Sequence, residues 1–195
     1  HFEGMEGKKL LGCWAHARRR FFEAKVENEK LALEALSYIR RLYDVEAEAD
    51  ALDAADNKPD HERRKALRQE KAYPEIKKFE TWMEASILKC PPKSLMEEAI
   101  SYTYKILKKL SLYVTDGRYK IDNNMVENSI KPLAIGRKNY LFCGDDDAAQ
   151  RAAVVYSLLA TCKAHGVNER AWLEDALRRI PEYEQAGKDY ADLLP

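Results

Sequence analysis

Apolar residues recur at steps of three and four along most of this chain, and this pattern predicts a mainly helical protein. One long helix is predicted over residues 27–55, where Leu31, Ala35, Ile39 and Leu42 lie on a single apolar side. Glycine and proline, with 8 and 7 occurrences among 195 residues, are too few to interrupt such stripes often. Helices packed through their apolar sides are therefore the expected framework.

A bundle of three helices is predicted for the first part of the chain. The second helix covers residues 60–89 and should bend or split at Pro74, because proline does not fit inside an uninterrupted helix. The third begins after Ser94, since Ser94 and Glu97 have the spacing of a capping box. Three helices of this kind can bury their apolar sides against one another.

Two short strands are predicted between the helical segments. Residues 9–14 form an apolar run that leads into a helical pattern, and a strand followed by a helix is typical of a domain with a sheet. A second short strand is predicted over residues 139–143. The expected fold is thus mainly α with one or two short strands.

The last third of the chain is again helical in its pattern. A helix over residues 148–165 is so apolar that we expect it to be buried, and Gly166 is its natural end. A final amphipathic helix is predicted to begin after Asn168 and to end before Pro181.

Composition excludes several classes of protein. Lys plus Arg and Asp plus Glu both number 33, and a net charge of zero argues against a histone-like or tail-type nucleic-acid binder. No apolar run has the length of a membrane span, and residues 1–4 lack the features of a signal peptide. The four cysteines form no CxxC pair, so reduced cytoplasmic thiols are expected. Because the chain does not begin with Met, we expect it to be part of a longer protein.

The most informative stretch places a carboxylate, Glu127, among amides and cations. A short helix is predicted from Asp122 to the neighbourhood of Lys131, with Pro132 as its limit. On that helix the side of Glu127 is polar and the opposite side is apolar. Two interpretations fit this spacing: an ordinary ion pair with Lys131 one turn away, or a ligand for Mg²⁺ or Mn²⁺, which prefer carboxylate oxygens.

Two basic clusters have the composition of a phosphate-binding surface. Arg137 and Lys138 precede Tyr140 in a predicted loop and suit phosphate contact and base stacking, although a solvated basic loop explains them equally well. Arg18 and Arg19 belong to a run of three arginines. On a helix, at most two members of that run can face one DNA backbone.

Three motifs occur in order along the chain. They are Gly12-Cys13-Trp14-Ala15-His16-Ala17-Arg18-Arg19, Ile121-Asp122-Asn123-Asn124-x-x-Glu127-Asn128-x-Ile130-Lys131-Pro132 and Gly136-Arg137-Lys138-Asn139-Tyr140-Leu141-Phe142. Together with the C-terminal Thr161-Cys162-Lys163-Ala164-His165-Gly166-Val167, they resemble the insertion-sequence 66 family of bacterial transposases. The similarity extends over essentially the whole chain.

The resemblance implies an RNase H-like nuclease core of the DDE type, with a helical-bundle insertion. Such enzymes cut DNA and join its 3′ ends to a target, using two divalent metal ions held by Asp, Asp and Glu. Glu127 matches the glutamate of the family, so the resemblance implies that Glu127 is the catalytic metal ligand. The expected DNA contacts are Asn124, Asn128, Lys131, Arg137, Lys138, Arg18 and Arg19.

The same resemblance divides the chain into three parts. They are a partial RNase H-like core (residues 1–22 and 116–166), a helical insertion (23–115) and a C-terminal helical region (167–195). The strand at residues 10–14 would be the last strand of the core. The two catalytic aspartates should precede Cys13, but no Asp occurs before Asp44.

We therefore predict the C-terminal fragment of a DDE transposase, inactive and without a metal cofactor by itself. In the intact enzyme the expected cofactor is Mg²⁺ or Mn²⁺, and the expected partners are transposon-end DNA, target DNA and further copies of the same chain. Its expected location is the bacterial cytoplasm, associated with the nucleoid. The alternative is a non-catalytic helical module that binds DNA or another protein.

Overall fold

The structure, a computed structural model, describes residues 9–195, and the described chain is almost entirely helical. It divides into two compact units, His1–Asn124 (unit 1) and Met125–Pro195 (unit 2). The first eight residues of the predicted core segment 1–22, including the four tested for a signal peptide, lie outside the described residues.

Unit 1 is built from helices of very different length. In the described residues these are α1 (Trp14–Glu23), α2 (Glu29–Ala55), α3 (His61–Leu67), α4 (Tyr73–Ile87), α5 (Leu95–Lys105) and α6 (Leu107–Ser111). The predicted long helix is confirmed as α2, and Asn28 caps it by accepting a hydrogen bond from the Leu31 N–H. The predicted cap at Ser94 is also confirmed, since its Oγ accepts from the Glu97 N–H.

Helices α3 and α4 are joined by one π-helical turn, Arg68–Ala72. The backbone stays right-handed helical on both sides of the turn. The predicted break near Pro74 therefore takes the form of a local widening of the helix, and the proline lies just after it, in the first turn of α4.

An aromatic cluster centred on Phe79 fills the core of unit 1. The rings of Trp14, Phe21, Tyr38 and Trp82 lie 5.3–6.2 Å from the Phe79 ring, centroid to centroid. They come from α1, α2 and α4, so the cluster fastens these three helices together. Large aromatic side chains remove much apolar surface from water, which makes them the main contributors to such a core.

A buried ion pair joins the π-helical turn to α2. The Arg68 side chain is completely buried, and its Nε and one terminal nitrogen each donate to a Glu46 carboxylate oxygen at 2.7 Å. Its other terminal nitrogen donates to the carbonyls of Tyr113 and Asp116 at 2.9 and 2.8 Å. Every charged atom is therefore hydrogen-bonded, which is the condition for keeping a charge inside a protein.

The predicted strands are absent from the described residues. Residues 9–13 have no regular structure, and α1 begins at Trp14. The backbone N–H groups that a sheet partner would use are satisfied elsewhere: Gly12 donates to the Lys109 carbonyl and Trp14 to the Ile121 carbonyl. A Cβ at Gly12 would lie 2.9 Å from the Leu110 backbone nitrogen, so this contact requires glycine.

The second predicted strand is also wrong, because residues up to Tyr140 are helical and residues 141–143 are irregular. With no strand in the described residues, the RNase H-like core remains a prediction for the longer protein. The mainly α class is confirmed.

Unit 2 contains three longer helices in the described chain. They are α7 (Asn124–Tyr140, which starts at the last residue of unit 1), α8 (Asp146–Ala164) and α9 (Glu169–Ala186). The prediction that α8 is buried is wrong: Cys162 is its one buried residue, and Val154 is 58% exposed.

Helix α9 begins after its predicted cap Asn168 but continues through Pro181. The proline deprives the Leu177 carbonyl of its helical donor, and because Leu177 is exposed, water can replace that donor. The helix ends instead at Gly187, which has a φ of +60°. None of the described helices has both the length and the apolar character needed to cross a membrane.

We predict that Glu46→Gln lowers the free energy of unfolding by about 3–5 kcal/mol, because it leaves the buried Arg68 cation without its counter-charge. Urea unfolding followed by circular dichroism measures this. Glu48→Gln is the matched control, since Glu48 pairs with Lys71 on the surface of the same helix and should matter by less than about 1 kcal/mol. Equal effects of the two variants would contradict the role given to the buried pair.

Candidate nucleic-acid interface

Helix α7 carries most of the predicted site residues. It begins at Asn124, holds the partly exposed Glu127 in its first turn, and carries the exposed Asn128 and Lys131 in the next. Its last turn contains Arg137 and Lys138, both exposed. The predicted polar side of this helix is therefore open to solvent.

The prediction that α7 ends at Pro132 and that Gly136 opens a loop is wrong. The helix continues to Tyr140 with both residues inside it. Pro132 removes the donor for the Asn128 carbonyl, but Asn128 is exposed and water can take that place. Gly136 is needed for packing, because a Cβ there would lie 2.9 Å from both the Tyr140 ring and the Tyr156 hydroxyl.

Because α7 continues to Tyr140, the basic cluster of Arg137 and Lys138 lies on a helix and not in a loop. Lys138 is eleven residues after Glu127, which at about 100° per residue puts both on nearly the same side of the helix. Lys131 lies between them on that side. Tyr140 is not a free stacking ring: its hydrogen bond with Tyr156 raises the pKa of Tyr140 to about 12. Lys131 and Lys138 thus form a stripe on the side of Glu127, whereas Arg137 is rotated by about 100° from Lys138 around the helix.

Arg18 and Arg19 line a groove in unit 1 between α1 and α2. The groove, called the arginine groove below, has a volume of about 720 Å³ and is lined by Ala15, Arg18, Arg19, Phe22, Leu36, Arg40, Tyr43 and Asn124. Three predicted site residues, Arg18, Arg19 and Asn124, are therefore brought together. The other predicted residues lie in unit 2.

The arginine run divides as the helical geometry predicted. Arg18 and Arg19 face the groove, whereas the guanidinium carbon of Arg20 lies 4.0 Å from the centroid of the Tyr102 ring. Arg20 is thus engaged in a cation–π contact with α5. Prediction from sequence missed Arg40, because nothing in the pattern of α2 indicates which of its cations faces α1.

A hydrogen-bonded cluster includes two of the residues that line the groove, Tyr43 and Asn124. The Tyr43 hydroxyl donates to Asp122 Oδ2 at 2.9 Å, and the side-chain amide of Asn124 donates to the same oxygen at 3.0 Å. The Asn124 N–H donates to Asp122 Oδ1 at 3.1 Å, so the predicted capping residue Asp122 lies two residues before the first residue of α7 and bonds to its backbone. Burial and then the bond to Asp122 hold the pKa of Tyr43 well above its usual range.

Metal binding by this chain alone finds no support in the described residues. Among them, no group of three or more His, Cys, Asp or Glu side chains is arranged to hold a metal ion. Glu127 can supply one oxygen donor, and a metal centre built on it needs further carboxylates.

Comparison with known proteins identifies two family matches. Residues 2–151 match the family described as "Transposase IS66 family", and residues 157–195 match the one described as "IS66 C-terminal element". The two matches follow one another along the chain and leave only a few residues unassigned. No solved structure matches the chain.

Three curated proteins of Sinorhizobium fredii are similar in sequence. "Uncharacterized protein y4qI" is 38% identical over 176 residues, covering 89% of this chain and 31% of that protein. "Uncharacterized protein y4hP" is 32% identical, covering 88% and 32%, and "Uncharacterized protein y4jD" is 31% identical, covering 96% and 35%. This chain therefore spans about a third of the length of these relatives.

We predict that Tyr43→Phe lowers the free energy of unfolding at neutral pH by about 1–2 kcal/mol, because Asp122 loses a partly buried donor. Tyr104→Phe, which removes a hydrogen bond to Glu84 on the surface, is the matched control and should cost less. Chemical denaturation of both variants measures the difference. A loss no larger than that of the control would contradict the anchoring role of Tyr43.

The same tyrosine should contribute to alkaline unfolding. Since its pKa is raised in the folded state, the unfolded chain loses the phenol proton first, and stability falls as pH rises above about 10. We therefore expect Tyr43→Phe to make the decline in unfolding free energy above that pH less steep than in the wild type. An unchanged slope would show that Tyr43 has an ordinary pKa.

Proposed function

Because this chain belongs to the IS66 family of transposases, we propose that it is the C-terminal part of an enzyme that cuts and joins DNA with divalent metal ions. Glu127 is proposed as one metal ligand of that enzyme. The other ligands are proposed to lie in parts of the longer protein outside this chain, which spans about a third of its curated relatives.

The observation that carries this proposal is the two-sided character of α7. The side with Glu127 and Lys131 is polar, whereas the apolar side chains of the helix are left in solvent. These exposed side chains include Met125 (69%), Val126 (58%) and Ile130 (53%). An exposed apolar face of this kind usually marks a surface that another element covers.

We propose that the missing part of the catalytic domain covers this face. In that arrangement α7 would present Glu127 on its opposite, polar side, next to the further carboxylates. The metal ions, when bound there, would supply charge stabilisation at the phosphodiester, and the residues of this chain would contribute one ligand and the cations of α7.

DNA is the partner that membership in a transposase family suggests, and we propose transposon ends and target DNA as its two forms. Further copies of the chain are proposed as partners in the intact enzyme. The second candidate function is DNA binding without catalysis. The arginine groove favours it, because three guanidinium groups there need no metal to contact phosphates.

A strand-transfer assay on the full-length protein tests the catalytic role of Glu127. We expect Glu127→Gln to reduce strand transfer by at least about 100-fold, because an amide cannot replace a carboxylate ligand. Glu169→Gln, in the first turn of another helix, is the matched control and should leave activity intact. Equal activity of wild type and Glu127→Gln would remove Glu127 from the mechanism and favour the non-catalytic alternative.

A second experiment tests whether the chain has nuclease activity alone. We expect no nicking of supercoiled plasmid by the purified 195-residue chain in the presence of Mg²⁺ or Mn²⁺, because one carboxylate cannot hold the metal ions. Gel electrophoresis of the plasmid measures nicking. Metal-dependent nicking that Glu127→Gln abolishes would contradict the proposed division of the metal site.

A further inference from the structure

We propose that the arginine groove of unit 1 is a binding site for single-stranded DNA. The inference deepens the proposed function, in which DNA is the substrate, by naming the form of DNA and the residues that select it. It uses none of the residues assigned to metal binding. Its test therefore does not depend on catalysis.

The groove is rich in positive charge. Arg18, Arg19 and Arg40 line it and are exposed. In the described chain, neither Arg18 nor Arg19 forms an ion pair with a carboxylate, and Arg40 has only a contact of 3.9 Å with the exposed Asp44. These cations can thus bind phosphate without first breaking a strong internal pair.

Other arginines of unit 1 differ in this respect. Arg64 and Arg68 are buried in ion pairs with carboxylates, and Arg118 donates to both oxygens of Asp116. Their hydrogen-bonding capacity is used inside the protein. The groove therefore collects arginines whose donors remain directed to solvent or to a ligand.

The groove also contains an exposed aromatic ring. Phe22 lies at the groove and is 57% exposed, although its neighbour Phe21 is fully buried in the core. Lys25 Nζ lies 5.9 Å from the centroid of the Phe22 ring, but its charge is paired with Glu29 at 3.5 Å, so the cations available beside Phe22 are the three arginines of the groove. A phenyl ring beside cations is the arrangement by which proteins stack unpaired bases while contacting the backbone.

These two features together select a single strand. In duplex DNA the faces of the bases are stacked on one another and are closed to Phe22, so only the arginines could contribute. An unpaired strand offers both phosphates and base faces. The groove volume of about 720 Å³ is in the range of sites that enclose small ligands, so a nucleotide unit has room in it.

The rigidity of the groove supports the same conclusion. Its walls, α1 and α2, are fastened from behind by Phe21, Tyr38 and Phe79 of the aromatic cluster. Tyr43 and Asn124, which both line the groove, donate to the same oxygen of Asp122, so these two side chains are held in place by hydrogen bonds. The site is thus formed before any ligand binds, and little ordering is required on binding.

Fluorescence anisotropy of the 195-residue chain tests the proposal. The probes are a labelled oligothymidylate of about 20 nucleotides and the same strand annealed to its complement. We expect the single strand to bind at least about fivefold more tightly than the duplex, the gain of one stacked base. With three phosphates neutralised, the slope of log K against log salt should be about −2 for the single strand.

Variants separate the two contributions. We expect Phe22→Ala to weaken binding of the single strand by roughly 5- to 150-fold and to leave binding of the duplex unchanged. Leu88→Ala is its matched control, because Leu88 is also an exposed apolar residue of unit 1. Arg40→Gln should reduce the magnitude of the slope of log K against log salt by about 0.7. Arg170→Gln, on an exposed surface of α9, should leave that slope unchanged.

Several outcomes would overturn the proposal. One is that the duplex binds more tightly than the single strand, and another is that neither binds measurably at about 50 mM salt. A third is that Leu88→Ala weakens binding of the single strand as much as Phe22→Ala does. The proposed function fails separately. If Glu127→Gln is fully active in strand transfer while Phe22→Ala loses single-strand binding, the groove stands and the catalytic assignment is wrong; the reverse pattern rejects only the groove.

Discussion

A single buried guanidinium ties the parts of unit 1 together. Arg68 neutralises Glu46 of α2 and donates to two carbonyls of the segment that follows α6. A cation with no exposure is tolerated only when all of its donors are satisfied, so the positions of α2, the π-helical turn and residues 113–116 depend on one another. That segment leads to Ile121, which accepts from the Trp14 N–H, and thereby connects the network to the start of α1.

The surface proposed to bind DNA follows from this internal order. The aromatic cluster holds α1 against α2 and α4, and once these helices are fixed, the cations on their outer sides must face one another across a shallow groove. Neutral overall charge is compatible with such a site, because many charges elsewhere in unit 1 are paired over short distances. Function on this view depends on where charges are left unpaired, and not on how many the chain contains.

Local chemistry explains what could be predicted from the sequence. The caps at Ser94 and Asn168 and the long apolar stripe of α2 act within one or two turns, and all of them are confirmed. The predicted strands could not be judged from local sequence, because an apolar segment forms a strand only if the edge of another strand is available to pair with it. Here the N–H groups of Gly12 and Trp14 donate instead to the carbonyls of Lys109 and Ile121. Pro132 and Pro181 end no helix, since exposure lets water complete the backbone. The groove was predictable only in part: the arginine run is visible in the sequence, whereas Arg40 belongs to it through tertiary packing alone.

The π-helical turn has a consequence for how this sequence can change in length. Four buried residues of α3, the turn and α4, namely Arg64, Arg68, Ala72 and Ile76, follow one another at steps of four. In a regular α-helix, three steps of four residues rotate the side-chain direction by about 120° around the helix axis. The extra residue of the π turn removes most of this rotation, so the four side chains stay on one side. A deletion of one residue within 68–72 would convert the turn to ordinary helix and rotate the aromatic face of α4 by about 100° away from α2. A change of length by one residue in this segment would therefore separate the buried ion pair of Arg68 and Glu46 from the aromatic cluster around Phe79.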